Sequence, residues 1–203
     1  MSTLTLTAHP RIDNAAADLL FREAHTSYSF TDKPVSHEQL AEIYDLVRLA
    51  PTAMNSQPLR ITFVTTEAGK ARLLPHLAPG NRAKSSSAPV VAILAADVDF
   101  HEHLPRHFPQ NPHAKDMFAD ASTRANAARF NAAIQAGYFI LAVRAMGLDA
   151  GPMGGVDTAG LDAEFHQGKT WRSFMVVNIG HAAHDGQHAR NPRLPADEAV
   201  VYI

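Results

Sequence analysis

The stretch STRANAARFNAAIQAGYFILAVRAMG, residues 122–147, decides the fold of this chain. Its apolar residues recur at helical spacing, and in the second half they surround the helix axis on nearly every side. A helix of that kind must be buried on most of its faces, so we expect it in the core or at a subunit interface. Gly147 is the predicted end of the helix, because glycine readily adopts the left-handed conformation that closes one.

Two further helices are predicted ahead of this one. Residues 12–21 carry apolar side chains at helical spacing and predict the first. Ser36 and Gln39 have the spacing of a capping box, in which each satisfies the backbone N–H of the other. The second helix therefore begins after Ser36, and Pro51 stops it.

Four segments have the β-branched or apolar composition of sheet strands: 61–66, 89–94, 173–179 and 199–203. The second is apolar throughout and predicts a buried strand. The last ends the chain and would be unfavourable if left in water. We expect it to pair with a sheet edge, either of its own chain or of a partner.

Two segments lack the pattern of a helix or a strand. Residues 98–116 contain three prolines and four histidines, and we interpret them as a flap without regular structure. Residues 181–195 are polar and predict an exposed loop, so that residues 181–203 form a C-terminal dimerisation tail. The length of 203 residues fits a single domain over 1–203 with these two elaborations.

Composition excludes several classes of function. The 18 basic and 20 acidic side chains give a net charge of −2, which argues against nucleic acid as a partner. No apolar run is long enough to cross a membrane, and the first residues, MSTLTLTAHPRID, lack the pattern of a secretory signal, so we expect a cytoplasmic protein. Without cysteine there is no thiolate chemistry, and redox activity would need a bound cofactor.

Twelve histidines raise the question of a metal site. The closest groupings are His101 with His103, and His181 with His184 and His188. All five lie in Pro- or Gly-rich segments where nothing fixes their geometry, so solvated loop histidines are the favoured interpretation over metal ligands.

Four other segments carry groups that could contact a ligand: APTAMNSQP (50–58), GNRAK (80–84), GPMGG (151–155) and the arginines Arg190 and Arg193. Each also has a simpler explanation, as a solvated turn or as surface charge. GPMGG matches neither the dinucleotide-binding nor the phosphate-loop spacing, and spacing alone favours a turn. Its alternative role is a glycine loop that lets main-chain N–H groups approach a flat ring.

Taken in order, APTAMNSQP, GNRAKSSSAPVV, GLDAGPMGGVD and ARNPRLPADEAV resemble the landmarks of the nitroreductase family of FMN oxidoreductases. The resemblance runs from about residue 19 to the last residue. Within the family, LLFREAHTSYSF, LVRLAPTAMNSQP and HLPRHFPQ most resemble the malonic semialdehyde reductase subgroup of pyrimidine degradation.

The resemblance implies an α+β fold with a central mixed or antiparallel sheet wrapped by helices. It also implies an intertwined homodimer whose C-terminal strands are exchanged and whose two FMN molecules lie at the interface. NADH or NADPH would reduce the flavin at N5, and a small-molecule acceptor would then take the hydride. Malonic semialdehyde is the expected acceptor, with Arg106 of the flap as a candidate for its carboxylate.

Site residues also follow from the resemblance. Asn81 and Lys84 would contact the pyrimidine edge of the flavin, where the charge of Lys84 stabilises the reduced ring and makes it the catalytic candidate. The ring would be lined by Pro152, Met153, Gly154 and Gly155. The phosphate would be held by Arg190 and Arg193. The partner's flavin would be reached by Pro51, Thr52, Ala53 and Asn55.

The first landmark departs from the family pattern. Where an arginine is expected, this chain has His25, followed by Thr26 and Ser27. All three can donate hydrogen bonds to a phosphate, but a neutral imidazole is a weaker anchor than a guanidinium.

Three other functions stay open from the sequence. One is a broad nitro- or quinone-reducing enzyme without a dedicated aldehyde. Another is a flavin-binding protein without turnover. The third is a metalloprotein built on the histidine loops.

Overall fold

The helix predicted over 122–147 is the central helix, Ala121–Ala145, of a computed structural model that describes residues 11–203. Asp120 caps this helix by accepting a hydrogen bond from the backbone N–H of Thr123 at 2.7 Å. Gly147 follows with a φ of +69°, which confirms it as the closing residue. The prediction about a secretory signal falls mostly on residues 1–10, outside the described residues.

Among the described residues the sheet has four strands: β1 (Leu59–Val64), β2 (Val90–Asp97), β3 (Asp149–Met153) and β4 (Trp171–Gly180). They are hydrogen-bonded in the order β1-β2-β4-β3, and every pair is antiparallel. All residues of β2 are buried, as its apolar composition predicts. The strands β1 and β3 therefore form the two opposite edges of the sheet.

The helices are α1 (Asn14–Ala17), α2 (His37–Val47), α3 (Glu67–Leu73), α4 (Pro79–Ser87), α5 (Leu104–His107), α6 (Ala121–Ala145), α7 (Thr158–Phe165) and α8 (Ala196–Ala199). A π-helical turn extends α1 to Arg22. Among residues 11–203, no helix combines the length and apolar character that crossing a bilayer requires.

Helices cover both faces of the sheet. Successive side chains of a strand point to opposite faces, so Leu94 of β2 packs against α2 and α6, where Ile43 and Phe139 are fully buried. Its neighbour Ile93 belongs to a second cluster on the other face, with Leu73 of α3. The α+β arrangement expected from the sequence is confirmed.

The capping box is also present as predicted. The Ser36 hydroxyl accepts a hydrogen bond from the backbone N–H of Gln39 at 3.2 Å, and the Gln39 side chain accepts one from the N–H of Ser36 at 2.9 Å.

The prediction that residues 98–116 lack regular structure is wrong. The segment forms three short helical elements: Phe100–His103, α5 and Ala114–Phe118. Pro105 stands in the first turn of α5, where its missing N–H has no helical partner to lose. Phe100 and Leu104 are buried and attach the segment to the core.

The simpler explanations of two glycine-containing segments are wrong as well. GPMGG is no plain turn, because residues 151–153 form the end of the edge strand β3. A Cβ at Gly151 would lie 2.8 Å from the backbone oxygen of Ser27, so the strand needs glycine where the N-terminal segment crosses it. GNRAK lies within α4 and forms no turn.

The chain end forms no strand on the sheet of its own chain. Residues 196–199 form the short helix α8, and residues 200–203 have no regular structure. Val201 and Tyr202 are 84% and 92% exposed. β-propensity alone does not make a strand without an edge to pair with. Of the two pairings expected for residues 199–203, the one with a sheet edge of the same chain does not form.

Candidate functional site

Beside β3 lies a cavity of about 300 Å³, which we call the arginine cleft. The N-terminal segment, the end of α6 and the C-terminal tail enclose it. Its lining residues are Phe21, Ala24, His25, Thr26, Tyr28, Arg144, His188, Ala189, Arg190, Asn191 and Arg193. Four of the residues expected to bind a cofactor, His25, Thr26, Arg190 and Arg193, are thus brought together.

Backbone hydrogen bonds fix the N-terminal wall of the cleft. The N–H of Ser27 donates to the carbonyl of Ala150 in β3 at 3.3 Å, and the N–H of Tyr28 donates to Gly186 of the tail at 2.7 Å. Nδ1 of His25 lies 3.0 Å from the carbonyl oxygen of His188. Ser27 itself is fully buried, so this expected ligand residue supports the wall and does not line the cleft.

Three arginines that line the cleft have no carboxylate partner among residues 11–203. Arg190 donates to the backbone carbonyls of Arg22 and Ala24 at 2.6 and 2.9 Å. Arg193 donates to the carbonyl of Asn191 at 2.7 Å. Within residues 11–203, no carboxylate oxygen lies within 4.0 Å of the guanidinium nitrogens of Arg144, Arg190 or Arg193. The cleft therefore concentrates positive charge, as an anion site would.

Arg144 is the residue of this cleft that sequence reasoning missed. Its Nη1 donates to the carbonyl of Leu20 at 3.0 Å, while its buried Nε has no hydrogen-bond partner among the described residues. Burial, and next the positive charge of Arg190, lower the pKa of Arg144. The sequence feature that could have identified Arg144 is that it is the single charged residue in the second half of α6. The direction of its side chain depends on tertiary packing.

Lys84 extends the positive surface beyond the cleft. Its Nζ lies 5.0 Å from the ring centroid of Tyr28, which also lines the cleft. Burial lowers the pKa of Lys84. The ammonium group thus stands over the aromatic face of a residue that lines the arginine cleft.

The other expected ring contacts are assembled around α4 and the end of β3. The Asn81 side-chain amide donates to the carbonyl of Gly155 at 3.0 Å, and the backbone N–H of Ala78 donates to the same oxygen at 3.0 Å. Met153 is buried, Pro152 is half-buried and Gly154 is exposed. Asn81 therefore holds the glycine segment in place close to Lys84.

The structure does not bring Pro51, Thr52, Ala53 and Asn55 to the arginine cleft. They precede β1, whereas the cleft adjoins β3, and two strands separate these edges by about 14 Å at the usual strand spacing. Their loop is unusual, because Met54, Asn55 and Gln57 all have positive φ, between 44° and 53°. Asn131 of α6 holds it by accepting a hydrogen bond from the N–H of Ala53 at 2.8 Å.

This loop borders a second cavity of about 410 Å³, the flap cleft. Its polar lining residues are Tyr44, Arg48, Gln57, Arg60, His103, Arg106, His107, Gln135 and Trp171. The Asn55 side chain donates to the carbonyl of His107 at 2.9 Å. The side chains of Arg106 and His107 lie 3.0 Å apart. Burial, and then the neighbouring charges of Arg106 and other cations, lower the pKa of His107, so its neutral ring accepts from Arg106.

The histidine groupings form no metal centre in the part of the chain that the structure describes, where no three metal-ligating side chains converge. His101 pairs with Glu102 at 3.4 Å. His188 packs its ring against Tyr28 with centroids 4.5 Å apart.

The chain is similar in sequence and in fold to known proteins. The family model named Nitroreductase matches residues 21–181. A Streptomyces coelicolor protein named as an NADH dehydrogenase/NAD(P)H nitroreductase is 53% identical over 94% of this chain and 95% of its own. A Streptomyces griseus protein of the same name is 51% identical over 95% of this chain and 98% of its own. A solved structure titled as a nitroreductase in complex with FMN, from Exiguobacterium sibiricum, has a TM-score of 0.83 at 20% identity, covering 97% and 100% of the two chains.

Proposed function

Since this chain belongs to the nitroreductase family, we propose that it is an FMN-dependent oxidoreductase that oxidises NADH or NADPH and reduces a small-molecule acceptor. The observation that carries the proposal is the arginine cleft, which continues past Tyr28 to Lys84 and the glycine segment of β3. The relatives named for NAD(P)H and the neighbour titled with FMN support the same assignment.

The residues present fit the phosphate of FMN. Guanidinium groups that have no counter-ion within residues 11–203 favour a dianion in the cleft, and Arg190 and Arg193 supply the fork of donors that binds phosphate oxygens in pairs. Thr26 adds a hydrogen-bond donor on the N-terminal wall, whereas the Nδ1–H of the neutral His25 ring is already donated to the carbonyl of His188.

The ring of FMN would lie over Lys84, Asn81 and the segment Pro152–Gly155. Bound FMN supplies the chemistry by accepting hydride from the nicotinamide and passing it to the acceptor. Lys84 places a positive charge where hydride transfer adds electron density, and it needs no acid–base partner for that role. The exposed Gly154 leaves room for close approach of a flat ring.

We further infer that the working unit is a homodimer of single-domain chains. The chain exposes apolar side chains on α6, with Phe130 at 69% and Tyr138 at 42%, and at its C-terminal end. A partner that covers α6 and pairs with residues 199–203 would remove both from water. The same arrangement would bring the loop of Pro51, Thr52, Ala53 and Asn55 to the partner's flavin. Within its own chain this loop is too far from the arginine cleft.

Malonic semialdehyde is the acceptor that we propose. Its carboxylate would bind Arg106 in the flap cleft, beside the loop that reaches the partner's flavin. Hydride would add to the aldehyde carbon and a proton from water to its oxygen, which gives 3-hydroxypropionate. The competing function is reduction of nitro compounds or quinones, which the names of the relatives favour.

The test is anaerobic turnover of the FMN-loaded protein with NADH and with NADPH. We expect kcat/KM for malonic semialdehyde to exceed that for nitrobenzene and for 1,4-benzoquinone. The reverse order would establish the nitro- or quinone-reducing function. A bound flavin that neither nucleotide bleaches would identify a binding protein without turnover.

Arg106→Ala tests the carboxylate assignment separately. Loss of a charge-assisted hydrogen bond should raise KM for malonic semialdehyde about tenfold. Propionaldehyde, which has no carboxylate, is the matched control and should be unaffected. An equal effect on both aldehydes would contradict a role in binding the carboxylate.

A further inference from the structure

We propose that Arg144 binds the phosphate of FMN and supplies the positive charge that the N-terminal landmark lacks at His25. The inference rests on the proposed function. It assigns a cofactor contact to a helix that no landmark of the sequence singles out.

The position of Arg144 is fixed from two sides. It lies in the last turn of α6, whose packing in the core holds the backbone. Its hydrogen bond to the carbonyl of Leu20 at 3.0 Å orients the guanidinium toward the wall that carries His25. Little side-chain freedom remains to be lost on binding an anion.

The hydrogen-bonding capacity of Arg144 is largely unused. A guanidinium has five N–H donors, and in the described residues only the one to Leu20 meets an acceptor within the chain. The buried Nε group has no partner in the part of the chain that the structure describes, and buried polar groups in proteins are nearly always hydrogen-bonded to protein, water or a ligand.

The surrounding charge points to an anion and not to a structural ion pair. Arg190 and Arg193 line the same cleft, and the proximity of Arg190 contributes to the lowered pKa of Arg144. Asp149 acts in the opposite direction but forms no ion pair with it, because its carboxylate accepts hydrogen bonds from Ala182 and Gln187. A phosphate dianion would turn this repulsion among cations into attraction.

The experiment compares FMN with riboflavin, which differs only in lacking the phosphate. Apoprotein is titrated with each, and binding is followed by quenching of flavin fluorescence. Arg144→Gln keeps a donor for Leu20 but removes the charge. We expect it to weaken FMN binding 10- to 100-fold, as loss of a charge-assisted contact should, and to change riboflavin binding less than twofold.

Two further variants make the result decisive. Arg22→Gln removes a nearby exposed charge that does not line the cleft, and it should leave both affinities unchanged. Arg144→Lys keeps the charge and should retain most of the preference for FMN over riboflavin. It can be measured even if Arg144→Gln does not fold.

Three outcomes would overturn the inference. Equal weakening of FMN and riboflavin would show a purely structural role for Arg144. An unchanged FMN affinity in Arg144→Gln would show that the phosphate lies elsewhere. Wild-type protein without any preference for FMN would overturn the proposed function together with this inference, so the two failures are distinguishable.

Discussion

The two edges of the sheet carry two basic cavities that differ in how their charges are balanced. At the β3 edge, Arg144, Arg190 and Arg193 have no carboxylate within reach in the described chain, and the walls are held by backbone hydrogen bonds. At the β1 edge, Arg60 pairs with Asp97 at 2.7 Å and a loop with three positive φ angles forms the rim. The first cavity therefore has unpaired positive charge within the described residues, whereas in the second the Arg60 charge is already balanced by a carboxylate.

The largest effect is expected from removing the C-terminal segment that would join two chains in the proposed dimer. Deletion of residues 199–203 takes away the exposed apolar end. We expect the dimer dissociation constant to rise at least 100-fold, and FMN to be released on dilution, because a shared site loses part of its walls. Sedimentation velocity and flavin fluorescence across a dilution series measure both.

The tail deletion has two informative failures. A truncated protein that stays dimeric and fully flavinated at the lowest measurable concentration would contradict strand exchange. One that dissociates but keeps its flavin would contradict only the shared site, and would show that the β3 edge suffices for binding.

Lys84→Ala removes a positive charge near the β3 edge of the sheet and leaves the flap cleft at the β1 edge unchanged. Loss of the positive charge beside the ring should slow flavin reduction about 10²-fold and lower the reduction potential, as removal of a stabilising charge does in other electrostatic sites. Stopped-flow reduction and a potentiometric titration are the measurements. Arg82→Ala, on the same helix but bonded to the carbonyl of Leu77, is the matched control. An unchanged potential with FMN still bound would place Lys84 away from the ring.

Gly151→Ala tests the wall of the arginine cleft without touching any proposed ligand contact. The added Cβ would meet the Ser27 oxygen at 2.8 Å, so strand β3 and the N-terminal segment must separate. We expect a loss of about 1–3 kcal/mol in the free energy of unfolding. Gly154→Ala, where a Cβ meets nothing within 4 Å, should change the free energy little. Equal urea midpoints for the two variants would contradict the close approach.

Local signals in the sequence were sufficient for most of the fold. The capping box of Ser36 and Gln39, the apolar run of β2 and the closing Gly147 are each decided by neighbours within a few residues. The site depends on contacts far apart along the chain. Whether Arg144 faces solvent or the cleft is set by Leu20, 124 residues away.

The sequence predictions that failed share a physical cause. The prolines of residues 98–116 predict a break in regular structure, yet one of them begins a helix whose attachment comes from the buried Phe100 and Leu104. The glycine spacing of residues 151–155 predicts a turn, yet Gly151 is required where the backbone of Ser27 crosses the strand. The propensity of a single residue does not reveal packing partners of this kind, because they lie in distant segments of the chain.

The smallest expected effect comes from His25→Arg, which adds a positive charge to the arginine cleft and so increases the difference in charge between the two edges of the sheet. A guanidinium at this position adds a permanent charge and a fork of donors to a cleft already lined by three arginines. Because Arg144 already supplies the missing cation in our proposal, the gain in wild-type background should be small, about threefold in FMN affinity. In the Arg144→Gln background the same substitution should raise the FMN affinity about tenfold. Fluorescence titration of the four apoproteins with FMN and riboflavin gives the coupling between the two positions. Equal gains in both backgrounds would show that residues 25 and 144 act on the phosphate independently, and that the charge at residue 144 does not compensate for histidine at residue 25.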